Sequence, residues 1–282
     1  MDFVTFARIN GVLIRDLDAS GRIRRCPTES HPRSQNGAYL WDGERGFVMA
    51  WDGDAKAIWF DRPDYKPDQA EIAKREAILR KQREQQEAAH QRAAQRASDL
   101  LASCVTDHHP YLNAKGLHKE KGLVTPDGDL FVPMRAIDGN LRGAQLIRLG
   151  GDVFEKKMLP GMKAKGAVFR IGQKSASKTI LVEGYATGLS VFQACHQMRL
   201  GAAVLVCFSA GNIEYVSQFV KGPKGAFADH DATGRGEHAA KTAGIPYVMS
   251  DRLGNDANDD HQQFGLMHVC KKIMELMRSV SM

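Results

Sequence analysis

The last hundred residues alternate short apolar runs with helix-like segments, and this alternation limits the possible folds more than any other feature of the chain. Runs at 179–182, 202–208, 225–228 and 245–249 have the length and content of buried strands, and segments at 186–200, 213–220, 236–243 and 262–278 read as helices. Parallel strands need crossovers of about a dozen residues, usually helical, so this spacing implies a parallel sheet covered on both faces. Ligands of such sheets bind outside the carboxyl ends of the strands. Two runs end there in acid: Ile180-Leu181-Val182 leads into Glu183-Gly184, and Gly225-Ala226-Phe227-Ala228 into Asp229-His230-Asp231.

Carboxylates crowded at one sheet edge repel one another unless a hard, oxygen-preferring cation neutralises them, and that cation can in turn hold phosphate. Glu183, Asp229 and Asp231 therefore predict a Mg²⁺ site of phosphoryl-transfer type, with Mn²⁺ as the alternative ion. The Asp-x-Asp pattern alone is weak, because the chain has it four times. Asp16/Asp18, Asp52/Asp54 and Asp127/Asp129 lie among glycine-marked turns, where aspartate is favoured for its local backbone hydrogen bonds. Only Asp229/Asp231 follows an apolar strand and precedes a glycine-bearing loop and a helix. A later acidic segment, 255–260, should emerge on the same edge, either as ligands or as the N-cap and polar loop of the last helix.

Upstream the composition changes in blocks. Residues 1–62 are short apolar pieces cut by Asn36-Gly37, Asp42-Gly43 and Asp52-Gly53, a small β-rich module of hairpins. Residues 63–103 hold no glycine and many Ala, Glu, Gln, Lys and Arg, a long helix whose middle is polar all round and so solvated or a linker. Residues 104–178 are β-rich again, with a turn at Asp138-Gly139-Asn140, and 179–282 form the alternating region. The net charge of +6 and pI near 9.0 suit a polyanionic partner without demanding one. Five scattered cysteines without a Cys-x-x-Cys argue against a disulfide framework and point to a reducing cytoplasm. The amino terminus lacks a basic-then-apolar leader, and no apolar run is long enough for a bilayer, so no membrane partner is expected.

These residues together resemble the Toprim domain of bacterial-type primases, topoisomerases and some nucleases. Glu183-Gly184 after the first strand, Asp229-x-Asp231 after the third, and the late Asn255-Asp256 and Asp259-Asp260 cluster carry the likeness. Upstream, His109-Pro110-Tyr111-Leu112-Asn113-Ala114-Lys115-Gly116-Leu117 and Glu155-Lys156-Lys157-Met158-Leu159-Pro160-Gly161 are similar to the segment preceding Toprim in phage and plasmid primases, so the likeness covers about residues 104–282. It implies a Toprim-like sheet preceded by a β-rich primase subdomain. Glu183 would be the catalytic glutamate and Asp229 and Asp231 metal ligands, with Asp256 and Asp259 a looser match to further ligands. The implied activity is synthesis of short RNA primers from ribonucleoside triphosphates on single-stranded DNA.

Basic residues cluster at 135–178, and Arg135, Arg142, Arg148, Lys156, Lys157 and, after the acids, Arg235 are the candidates for nucleotide or template binding. No aromatic stacking platform stands out. Cys26 and His31 are half of a zinc ribbon without its other ligands, so zinc is not expected, although the small β module is. Cys104, His108 and His109 read as an ordinary polar loop start. Gly166 to Ser175 fails as a P-loop in glycine spacing and in the helix that should follow, so a primase here is expected to work beside a separate replicative helicase. The competing functions are an accessory nucleic-acid-binding Toprim protein without catalysis of its own and a metal-dependent Toprim nuclease.

Overall fold

A helix opens the chain where hairpins alone were expected. In the computed structural model, which describes residues 1–51, 56–61 and 69–280, α1 (Phe3–Ile9) begins at Asp2, whose carboxylate accepts the Thr5 N–H at 2.7 Å. That bond satisfies one of the orphan donors of a helix start. Four antiparallel strands follow in sequence order: β1 (Arg24–Cys26), β2 (Gly37–Trp41), β3 (Arg45–Ala50) and β4 (Ile58–Asp61). Alternate residues Tyr39, Trp41, Val48 and Phe60 turn inward onto Phe3 and Ala7 of the helix. Cys26 packs into this apolar core, and burial pushes its thiol up to about 11. Gly46 is obligatory, since a Cβ there would stand 2.2 Å from the Leu40 carbonyl oxygen. The expected turn at Asp52-Gly53, the Asp52/Asp54 pair and the chain at 62–68 lie outside the described residues.

The chain divides into two compact units, Met1–Arg80 and Lys81–Met282. Helix α2 (Gln69–Ser103) is polar over most of its length, but its last turns are not simply solvated. Ala93 and Ala97 are buried, and Ala97 packs with Phe131, Ala144, Leu146 and Leu159 of the second unit. Alanines four residues apart make a narrow seam that an average over the helix hides.

The second unit holds two sheets. The first is an antiparallel meander of β5 (Val105–Asp107), β6 (Gly122–Val124), β7 (Leu130–Arg135), β8 (Leu141–Gly150) and β9 (Val153–Met158), with the short helix α3 (Pro110–Ala114) between its first two strands. One face packs on α2; the other, through Leu130, Val132 and Ile147, packs on Tyr111, Leu112 and the start of α4 (Tyr185–Gln197).

The second sheet has the order β10-β12-β11-β13-β14, built from β10 (Phe169–Ile171), β11 (Lys178–Val182), β12 (Ala202–Val206), β13 (Lys224–Ala228) and β14 (Tyr247–Met249). Four strands are parallel as expected; β10 adds an antiparallel edge, so the sheet is mixed. Helix α4 lies on one face and α5 (Ala210–Ser217) with α6 (Arg235–Thr242) on the other, which buries nearly every side chain of the three central strands and leaves the edge strands β10 and β14 half-buried. The closing helix expected at 262–278 is two helices, α7 (Ala257–Phe264) and α8 (Leu266–Val280), divided by Gly265 at φ 79°. Helical periodicity missed α7 because its buried side includes the polar Asn258 and Asp260. No helix among the described residues is long and apolar enough to cross a membrane.

Candidate active site

Strand β11 lies between β12 and β13, and the chain passes from β11 to one neighbour and then crosses to the other. The connections therefore diverge between β11 and β13, the kind of switch point where open α/β sheets bind ligands. Glu183 follows β11 and Asp229 follows β13, so the two acids flank it. Both line a cavity of about 180 Å³, together with Asp256.

Glu183 is partly buried, at the end of β11 and facing the start of α5, whose Ala210 backbone N–H favours its charged form. Burial and then the Asp231 charge raise its proton affinity, while the Ala210 N–H, Arg235 and Lys156 pull the other way. Asp229 is under greater electrostatic pressure. Burial first, then the charges of Asp256, Glu183, Asp231 and Asp259, push its pKa from 3.8 up to about 7. Its Oδ1 is buried and has no hydrogen-bond partner among the described residues. A buried, orphaned carboxylate oxygen beside other acids is an unfavourable arrangement for a folded protein to keep without a cation.

Asp231 is near enough to raise the proton affinity of both acids but does not line the cavity. Its Oδ1 accepts the Thr233 N–H at 2.8 Å and hydroxyl at 2.6 Å, bonds that organise the loop into α6 and hold its own carboxyl below the usual range. Asp256 and Asp259 form the capping box of α7. Asp256 Oδ1 accepts the Asn258 and Asp259 N–H groups, and Oδ2 accepts the Thr187 hydroxyl at 2.9 Å. Asp259 accepts the Asp256 N–H and stands 3.6 Å from the Lys115 ammonium. Asp256 is thus a helix cap that also faces the cavity, whereas Asp259 caps and pairs outside its lining.

The basic candidates separate by face. Register places Lys156 across from Ile147, on the side of the meander that packs on α3 and α4, and Lys156 lines the cavity. Lys157 stands across from Leu146 on the opposite face, 2.5 Å from Glu155. Arg148 pairs with Asp129 at 2.7 Å, Arg135 donates to the Gly139 carbonyl and Arg142 to that of Lys165. Arg135, Arg142, Arg148 and Lys157 are all absent from the cavity wall. Arg235 is exposed at the start of α6, close enough for its charge to lower the proton affinity of Glu183.

Lys115, Tyr111 and Gln145 line the cavity and were not singled out from the sequence as site residues. Lys115 and Tyr111 belong to the His109–Gly116 stretch, whose likeness was their only signal. His109 caps α3: its Nδ1 accepts the Tyr111 N–H at 3.1 Å, which leaves Nε2 to donate to the Gly128 carbonyl at 3.0 Å. The first turn of α4 also reaches the cavity through Gly184, Tyr185, Ala186 and Thr187, and its N-cap, Gly184, has no side chain to occupy the helix N–H groups.

Among the described residues, no three His, Cys, Asp or Glu side chains converge on one point at ligand distance. The donors still fit a hard divalent ion in kind, since they are oxygen-only and one of them is a buried oxygen with no other partner.

The first unit carries a second surface that the sequence did not reveal. On the sheet face away from α1, residues 45, 47, 49 and 51 alternate outward, and register sets Trp59 beside Phe47. Their rings are 5.3 Å apart, Arg45 lies 4.7 Å over Trp59, and Arg25 lies 3.9 Å over Trp51. Trp59 remains 53% exposed. Compared with models of known protein families, the sequence matches none.

Proposed function

We propose that this protein is a metal-dependent phosphoryl-transfer enzyme of Toprim type. Within that class we propose a DNA primase that makes short RNA primers on single-stranded DNA, with unwinding left to a separate helicase. The observation that carries the reading is the placement of Glu183 and Asp229 on the strands that flank the switch point, with Asp229 Oδ1 buried and unpartnered.

Asp229 and Asp256, on the cavity wall, would hold Mg²⁺, with Asp231 beside them on the loop into α6. Bound there, the ion would neutralise charge on the reacting phosphate and on the leaving pyrophosphate. Lys115, Lys156 and the uncapped first turn of α4 attract the phosphates of a nucleoside triphosphate into the same cavity. Glu183, with its raised proton affinity, is suited to take the proton from an attacking 3′-hydroxyl. The Arg25, Arg45, Phe47, Trp51 and Trp59 face supports a single-stranded template, because exposed rings stack on bases while arginines meet the backbone.

The test is incorporation of labelled ribonucleotides on single-stranded DNA with Mg²⁺ or Mn²⁺. Short RNA products that vanish in Glu183→Gln and Asp229→Asn are expected. Shortening of a labelled strand without nucleotides would establish a nuclease instead, and binding without either reaction would establish an accessory protein.

A further inference from the structure

Two neutral polar groups on the cavity wall have no hydrogen-bond partner among the described residues. Tyr111 is 2% exposed and its hydroxyl is buried without a hydrogen bond. Gln145 is 9% exposed, and no hydrogen bond to its amide exists among the described residues. It stands across from Val132 and Met158, on the same side of the meander as Ile147 and Lys156. An apolar ring would fill the place of Tyr111 with less penalty, since a buried donor left unmatched loses its water for nothing, and the Gln145 amide adds a donor and an acceptor on the same wall. Their surroundings make this an unfilled recognition site, because both line the cavity that holds Glu183, Asp229, Lys115 and Lys156.

The chemistry of the wall divides among three kinds of ligand group. Carboxylates suit a cation, and the lysines with the α4 N–H groups suit phosphate oxygens, which only accept. A phenol and a carboxamide each donate and accept without charge, and they match a ligand group that does the same, a hydroxyl. On a nucleotide the group next to the phosphates is the sugar, and the base lies beyond it. The cavity of about 180 Å³ is smaller than the roughly 300–1,000 Å³ of sites that enclose a whole ligand, so it admits the sugar-phosphate end. Tyr111 is also held for the task. His109 fixes its backbone, Phe154 meets its ring edge-on at 5.4 Å and 77°, and Lys156 Nζ lies 5.3 Å over the ring. Burial pushes the phenol up to about 12, so it stays a neutral donor.

We propose that Tyr111 and Gln145 read the sugar hydroxyl of the bound nucleotide and make this site select ribonucleotides over deoxyribonucleotides. The inference rests on the nucleotide-binding reading above. A site built to hydrogen-bond a substrate hydroxyl rejects an analogue lacking it, because its own buried groups then stay unpaired.

The experiment is equilibrium binding of ATP and 2′-deoxy-ATP with Mg²⁺ and no template, by calorimetry. The wild type is expected to prefer ATP by about tenfold or more. Tyr111→Phe and Gln145→Met are each expected to reduce the preference to about twofold by weakening ATP while leaving 2′-deoxy-ATP unchanged. An unchanged preference in both variants overturns the inference, and so does an equal loss of both nucleotides, which would mark a phosphate contact or a structural role. If the wild type binds both equally, only the sugar reading falls. If it binds neither, the nucleotide reading falls and takes this inference with it.

Discussion

Replacing Asp229 by Asn removes the ionisation that the metal-free site opposes most strongly. In the unfolded chain Asp229 loses its proton near 3.8, and in the fold near 7. Between those values the native state binds more protons than the unfolded state, so this residue makes stability fall as pH rises. At about 1.4 kcal/mol per pH unit, the full window corresponds to about 4 kcal/mol, an upper bound because water and side chains relax around the charge. Asn keeps the shape without the charge. In urea denaturation without divalent ions, the stability of Asp229→Asn minus that of the wild type should be near zero at pH 4 and about 2–4 kcal/mol at pH 8. Saturating Mg²⁺ should reverse the order at pH 8 by stabilising only the wild type. A difference that stays flat from pH 4 to pH 8 would refute the electrostatic reasoning, and an equal Mg²⁺ response in both proteins would remove Asp229 as a ligand.

Lys156→Ala should weaken nucleoside triphosphate binding by about tenfold and lessen its salt dependence, whereas Lys157→Ala, on the other face of the sheet, should stay within about twofold in the same titration. Trp59→Ala should weaken single-stranded DNA binding by about 1–3 kcal/mol in an anisotropy assay, with little change in melting temperature because the ring is largely exposed. Gly236→Ala should lower stability by about 1–3 kcal/mol, since its new Cβ would sit 2.6 Å from the Asp229 carbonyl oxygen and displace the strand end that presents the acid. A thermal melt checks this, and an unchanged midpoint would show that the loop yields freely.

The parallel strands were legible because each is buried on both faces and so appears as an unbroken apolar run between helices. Glu183 and Asp229 were legible for the same reason: an acid directly after such a run marks a strand end. Other features left no such trace. Helix α1 depends on a single Asp2 cap and on Phe3 and Phe6 packing into a sheet whose strands lie between Arg24 and Asp61. The aromatic face of the first unit was hidden because alternate residues of β3 serve opposite sides, so its rings are mixed in sequence with core residues such as Val48. Helix α7 was hidden because its buried contacts are polar, with Asn258 donating to the Lys115 carbonyl and the Ser190 hydroxyl.

Sequence alone determined the mixed α/β character of the chain, the region of alternating strands and helices, and the acids at two strand ends. These follow from local patterns of apolar and charged residues, which each segment carries without its neighbours. Only the tertiary structure decided which charges share a cavity. It placed Lys156 in and Lys157 out through the strand pleat, and made Asp256 a cap as well as a wall. It also brought Tyr111 and Gln145, 34 positions apart in the chain, to one surface with their hydrogen bonds unmade. Such proximity arises from sheet register and helix packing between distant segments, and no local window of residues contains it.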